Sequence, residues 1–187
     1  MIMFITDGER VSRDERAEQL ILAMADGSTA ALGELYELVG GFVYSYALSR
    51  TSDKTVAEDL THDTFLRIYQ NARQYTPMGK PMAWIVSVEL NIIRRYYNKN
   101  SRVIYTDDLE SETDSVDVVE GLIEDELVGR LLASLRDDER EIVLLHAVGG
   151  LKHREIARLL GMPLATVLSK YSRAIKKMQK LANTEEG

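Results

Sequence analysis

Apolar residues in this chain recur at intervals of three and four, and the strict alternation of a β-strand is scarce. That spacing puts the apolar groups on one face of a helix, so the chain can bury them only by packing helix against helix. Three prolines among 187 residues interrupt the pattern rarely. The expected fold class is all-α, with two small helical domains.

The helices can be followed along the chain. Ser12 opens "SRDE", which reads as a capping box with Glu15, and the helix after it turns Ala17, Leu20, Ile21 and Met24 to one side. "DGS" ends it. A second helix over about 29–48 repeats Leu32, Leu35, Tyr36, Val39, Val43 and Tyr46, and a third over about 54–72 carries Val56, Leu60, Thr64, Phe65 and Ile68 inside. "YTPMGKP" is a loop, and Pro81 suits the first turn of a fourth helix built around Trp84, Ile85, Val88, Ile92 and Ile93. Residues 101–119 have few large apolar groups and dense acids, too little to offset ordering, so they read as a linker. The domains are then 1–12, an N-terminal extension; 13–100, a helical domain; 101–119, the linker; and 120–187, a second helical domain.

Charge is segregated. Between Asp107 and Glu126 there are ten acids and no base; between Lys152 and Lys180 there are eight bases and one acid. The net charge of -7 therefore hides a basic C-terminal end. The local field, not the average, governs an encounter with phosphates. Cysteine is absent, which excludes disulfides and thiolate metal sites. No apolar run reaches bilayer length, and "MIMFITDGER" lacks the basic flank and apolar core of a signal peptide. A cytoplasmic protein without membrane insertion is expected.

The basic end has its own organisation. Ile156, Ala157, Leu159 and Leu160 make one face of a short helix, Gly161 supplies a sharp turn, and Val167, Tyr171, Ala174, Ile175 and Met178 make the inner face of the next helix. Two helices joined by a tight glycine turn form a helix-turn-helix. A basic helix alone is more often a solvated face. Small Ala157 at a crossing, Gly161 in the turn and apolar Val167 between the helices, all occurring together, favour DNA binding. The outer face of the second helix shows residue types that bond phosphates and base edges: Thr166, Ser169, Lys170, Arg173, Lys176 and Lys177.

Two long stretches carry a family resemblance. "ELYELVGGFVYSYALSRTSDKTVAEDLTHDTFLRIYQNARQY" with "PMAWIVSVELNIIRR", and "LRDDEREIVLLHAVGGLKHREIARLLGMPLATVLSKYSRAIKKMQKL", resemble the two domains of extracytoplasmic-function (ECF) RNA polymerase sigma factors, group IV of the primary-sigma-like superfamily. "AEDLTHDTFLRIY" is the most telling piece, since a generic helix-turn-helix repressor has no reason to carry it.

The resemblance implies a sigma factor that binds core RNA polymerase, through the largest-subunit coiled coil and the flap, and places it on promoter DNA. It implies three surfaces. Asp59, Leu60, Asp63, Phe65, Leu66 and Arg67 would dock on the polymerase, with Leu60 and Phe65 also serving the core. Tyr75, Lys80, Trp84, Asn91, Arg94, Arg95, Tyr97 and Asn98 would capture the minus-ten element as single-stranded DNA, aromatic rings stacking on bases and cations meeting phosphates. Trp84 has apolar neighbours that suit the core better than a melting wedge. Lys152, Arg154, Thr166, Leu168, Ser169, Lys170, Arg173, Lys176 and Lys177 would read the minus-thirty-five element. Where the family usually has Gly-Thr-Val-Lys-Ser-Arg, this chain has "ATVLSK"; Leu168 loses a cation, and Lys170 replaces an arginine able to bond in bidentate fashion. Arg95 and Asn98 stand where the family often has Asp and Arg, so the base preference is expected to differ.

The acidic linker would either thread a cationic channel of the polymerase or simply keep clear of DNA. An anti-sigma factor is a further partner that the family implies. No cofactor, metal or active-site chemistry is expected: His62, His146 and His153 are few and scattered, and no P-loop or Ser/His/Asp set is present. The alternative is a stand-alone helix-turn-helix regulator of the LuxR-like kind. The C-terminal 50 or so residues alone would allow it; the first hundred or so, which offer no ligand or receiver domain, argue against it.

Overall fold

The computed structural model describes residues 7–101 and 126–185. Among these every regular element is helical. The described residues fall into two compact units, one from residue 11 to 101 and the other from 126 to 185. The linker expected over 101–119, apart from Ser101 at the end of the helix before it, the first residues of the second expected domain, and residues 1–6 lie outside the described residues.

The first unit holds α1 (Asp7–Ala25, its first residues excepted), α2 (Ala30–Thr51), α3 (Lys54–Asn71) and α4 (Pro81–Ser101). Ala17, Leu20, Ile21 and Met24 are buried, as their spacing predicts. Ser12 does not begin α1: the helix runs five residues further toward the N-terminus, so Ser12 is interior and its capping box does not form. Leu35, Val39, Val43 and Tyr46 from α2 are buried in the unit's core with Leu60, Phe65 and Ile68 from α3 and Ile85, Val88 and Ile92 from α4. Short polar side chains punctuate the helices. The Ala31 amide donates to Ser28 Oγ (3.3 Å) at the start of α2, and the Val56 amide donates to Asp53 Oδ1 (3.0 Å) at the start of α3. Pro81 takes the first position of α4.

The second unit holds α5 (Glu126–Ala133), α6 (Asp137–Val143, continued by a π turn at Leu144–Val148), α7 (His153–Leu160) and α8 (Leu164–Glu185). Its core joins Leu131, Leu132 and Leu135 to Val143, Leu144 and Ala147, and both groups to Ala174 and Met178 of α8. Arg140 is buried and turned inward. Its guanidinium donates to the carbonyls of Leu132 (2.9 Å) and Ala133 (3.3 Å) at the end of α5 and of Leu135 (2.9 Å) just beyond it, and the Leu132 carbonyl also accepts from the Leu135 amide (3.1 Å). No described helix is long and apolar enough to cross a membrane.

Candidate nucleic-acid interface

In the second unit, α7 and α8 form the helix-turn-helix. Gly161 lies at φ 66°, ψ 29°, the left-handed region that glycine enters without a Cβ penalty. With the chain turned there, the Met162 amide reaches the Ala157 carbonyl (2.9 Å) and the Gly161 amide the Arg158 carbonyl (3.4 Å), closing the end of α7. At its start, the Lys152 amide donates to the Glu155 carboxylate (2.9 Å). Val167 is wholly buried and Ala157 nearly so, as the turn requires.

The outer face is less uniformly available than its composition suggests. Leu168, Ser169, Arg173 and Lys176 are exposed, as are Lys152 just before α7 and Arg154 in its first turn; Thr166 is half-buried. Lys170 is ion-paired with Asp138 of α6, whose carboxyl this ammonium holds below the usual carboxylate range. Lys177 folds back to donate to the Ser134 carbonyl just beyond α5. Two of the expected DNA-facing cations are therefore engaged within their own unit. Behind α8, three rings meet: His146 and His153 stack at 4.1 Å, and Tyr171 stands edge-on to them at 4.9 and 4.7 Å. The His146 Nδ1–H donates to the Leu151 carbonyl (2.8 Å), while burial and nearby His146 push the His153 imidazole below its usual range.

In the first unit the expected polymerase-binding residues split by helical phase. Leu60 and Phe65 are 5% and 4% exposed, and Phe65 packs on the Tyr36 ring at 4.8 Å, so these two serve the core and offer a partner nothing. Asp59, Asp63 and Leu66 face outward, Leu66 with 54% of its surface exposed.

The expected minus-ten residues divide similarly. Asn91, Arg94, Arg95, Tyr97 and Asn98 lie on the exposed side of α4, and Lys80 is exposed in the loop before it. Trp84 is half-buried, its ring edge-on to Tyr75 at 5.1 Å. Tyr75 is buried, so its ring is not offered to a base; the reason is packing on Trp84 together with a hydrogen bond to Glu18 (2.6 Å). Tyr97 also spends its hydroxyl within the unit, on the Arg50 carbonyl at the end of α2. A shallow hollow between α3 and α4 brings Arg67 and Asn71 together with Asn91 and Arg95. Arg67, expected on the polymerase side, thus also borders the helix expected to meet DNA. Glu18, Asn71 and Arg140 did not stand out in the sequence, because each acts through a partner brought close only by folding.

Comparison with known proteins agrees in both units. A family model of sigma-70 region 2 matches residues 35–103, and one of sigma-70 region 4 matches residues 125–178. The ECF RNA polymerase sigma factor BldN of Streptomyces coelicolor is 28% identical over 178 residues, 91% of this chain and 67% of that protein. The ECF RNA polymerase sigma factor SigM of Bacillus subtilis is 28% identical over 162 residues, 81% of this chain and 95% of that one. Among solved structures, the sigma factor RpoE in complex with the anti-sigma factor NepR from Bartonella quintana shares the fold, with a TM-score of 0.57 and 21% identity over 79% of this chain and 94% of that one. With both of its units matched in order by the two sigma-70 regions, the chain belongs to the extracytoplasmic-function family of RNA polymerase sigma factors, which direct promoter-specific initiation of transcription.

Proposed function

We propose that the two units divide promoter recognition between them. α7 and α8 read the minus-thirty-five element as duplex, with Thr166, Ser169 and Arg173 toward base edges and Lys152, Arg154 and Lys176 toward phosphates. Lys170, Lys177 and Leu168 flank that face. The observation that carries this reading is the buried Val167 behind a glycine turn, which leaves the opposite side of α8 exposed over two helical turns.

The first unit holds the melted minus-ten strand along α4. Asn91, Arg94, Arg95 and Asn98 line the strand, and the loop from Tyr75 to Lys80 receives an unpaired base beside Trp84. Core polymerase docks on the outward side of α3, where the exposed Asp59 and Asp63 lie one to two turns before the exposed Leu66. Nucleotide addition is the polymerase's chemistry, and the chain works in the cytoplasm beside it. An anti-sigma factor holds the free chain in reserve; the likeness to a sigma factor solved with such a partner supports this.

The test is reconstitution. The full chain is mixed with core polymerase of its own organism and a genomic promoter library. Co-elution, with initiation at sites sharing two spaced elements, is the expected result. Tight binding to duplex DNA alone, with no polymerase complex, would instead favour a stand-alone regulator.

A further inference from the structure

The loop before α4 is built around its own first residue. The Tyr75 hydroxyl donates to Glu18 Oε1 at 2.6 Å, and the Gly79 amide donates to the same oxygen at 3.0 Å. The backbone amides of Met78 and Lys80 also face the phenol oxygen. Gly79 lies at φ 64°, in the left-handed region, so the chain curls back there and brings its amide to the carboxylate. Glu18 belongs to α1, 57 residues before Tyr75, and so ties both ends of the loop to a separate helix. A second tie lies at the end of α1, where Arg73 Nε donates to the Ala25 carbonyl at 3.1 Å. Between the ends, Thr76, Pro77, Met78 and Lys80 are exposed, Met78 to 70%.

We infer that Glu18 is a positioning residue for promoter melting: one carboxylate oxygen staples Tyr75 to Gly79 and holds the loop open as a preformed receptacle for an unpaired minus-ten base. The inference rests on the loop's proposed role in base capture. Its physical basis is the cost of ordering. An exposed loop that must arrange itself around a base loses affinity to that ordering, and one held in shape beforehand does not. A carboxylate accepting two hydrogen bonds from opposite ends of the five-residue stretch Tyr75 to Gly79 removes that freedom, and charge-assisted bonds of this kind are the stronger sort. Tyr75 acts as the post of the turn, its ring seated on Trp84.

The experiment uses holoenzyme reconstituted from the full chain and core polymerase, and follows open-complex formation on a duplex promoter with a fluorescent base in the minus-ten element. Core affinity and thermal unfolding are measured alongside. Glu18→Ala is expected to slow opening about tenfold. Glu18→Gln, whose amide oxygen can accept both bonds, restores most of the rate, and Tyr75→Phe falls between. Core affinity stays within about twofold of wild type, since the staple lies in the loop and the exposed side of α3 is left intact. Among templates carrying a single abasic site in the minus-ten element, the deficit of Glu18→Ala disappears on the one that lacks the captured base. The inference is overturned if Glu18→Ala opens the promoter normally while Met78→Ala or Lys80→Ala in the loop is slow. It is overturned equally if Glu18→Ala lowers core affinity and stability together and Glu18→Gln rescues nothing. Normal opening by the loop variants and by Glu18→Ala alike would mean that the loop captures no base, and would remove the reading on which the staple depends.

Discussion

Lys170, on the outer side of the second helix of the helix-turn-helix, is ion-paired with Asp138, at the start of α6 and 32 residues earlier. A cation expected to face DNA is therefore held by its own unit. The pair is partly exposed, at 20% and 37%, so its worth to stability is small. Its consequence for binding is larger, because a paired ammonium displaces fewer counterions from a phosphate. Asp138→Asn should free it. Binding of the holoenzyme to a minus-thirty-five duplex is expected to tighten several-fold at low salt, with the slope of log K against log salt steeper by about one. A salt titration of wild type and variant measures both quantities; an unchanged slope would show that Lys170 already reaches phosphate.

How far the sequence alone carried depended on whether a residue acts through its neighbours in sequence or in space. Val167, Ala157 and Gly161 could be read because helical phase and a turn's φ are local properties, and all three sit as expected. The same phase separated Asp59 and Asp63 from Leu60 and Phe65. Ser12 misled because its local pattern imitates a helix start, while the charged turn before it is helical without any apolar period to announce it. Arg140, Lys170, Lys177 and Tyr75 could not be placed beforehand. Each has chemistry suited to a surface or to DNA, and each is claimed by a carbonyl or carboxylate that folding brings alongside.

Glu89 is completely buried in α4, and neither carboxylate oxygen has a hydrogen-bond partner. Burial pushes its carboxyl well above the usual range. Below the ordinary value of 4.5 both folded and unfolded chains hold the proton. Above it the unfolded chain releases the proton and the folded chain keeps it, so stability falls as pH rises until the folded carboxyl itself ionises. Glu89→Met should stabilise the first unit by about 1–3 kcal/mol near neutral pH and abolish this slope. Urea unfolding at pH 5 and pH 8, followed by Trp84 fluorescence, measures both effects.

The His146, His153 and Tyr171 rings join the π turn, α7 and α8 at the base of the DNA-reading helix. His153 Nε2 is buried without a partner, and the imidazole is held below its ordinary value of 6.5. The folded unit therefore resists a proton that the unfolded chain accepts. Stability is full above pH 6.5, begins to fall as the pH drops through that value, and reaches its lower plateau below the folded imidazole's own lowered range. Wild-type unfolding of the second unit should shift to lower temperature between pH 7 and pH 5.5. His153→Phe, which keeps a ring in the stack, should flatten that dependence. Ring-proton NMR of His153 in the full chain gives the titration directly.

Leu66 and Leu60 lie on the same helix and separate partner binding from folding. Leu60 is 5% exposed and Leu66 54%, because six residues of helix carry one to the inner side of α3 and the other to its outer side. Leu60→Ala leaves a cavity and should cost about 2–5 kcal/mol of stability. Leu66→Ala removes little buried surface and should leave unfolding unchanged within about 0.5 kcal/mol. If the outer side of α3 is the polymerase face, an apolar anchor between Asp59 and Asp63 at one end and Arg67 at the other has the makeup of a binding hot spot, and its loss should weaken core affinity about tenfold. Fluorescence titration of the full chain with core polymerase tests this beside a thermal melt. Weakened affinity with an unchanged melt assigns the face; unchanged affinity moves the docking surface off α3.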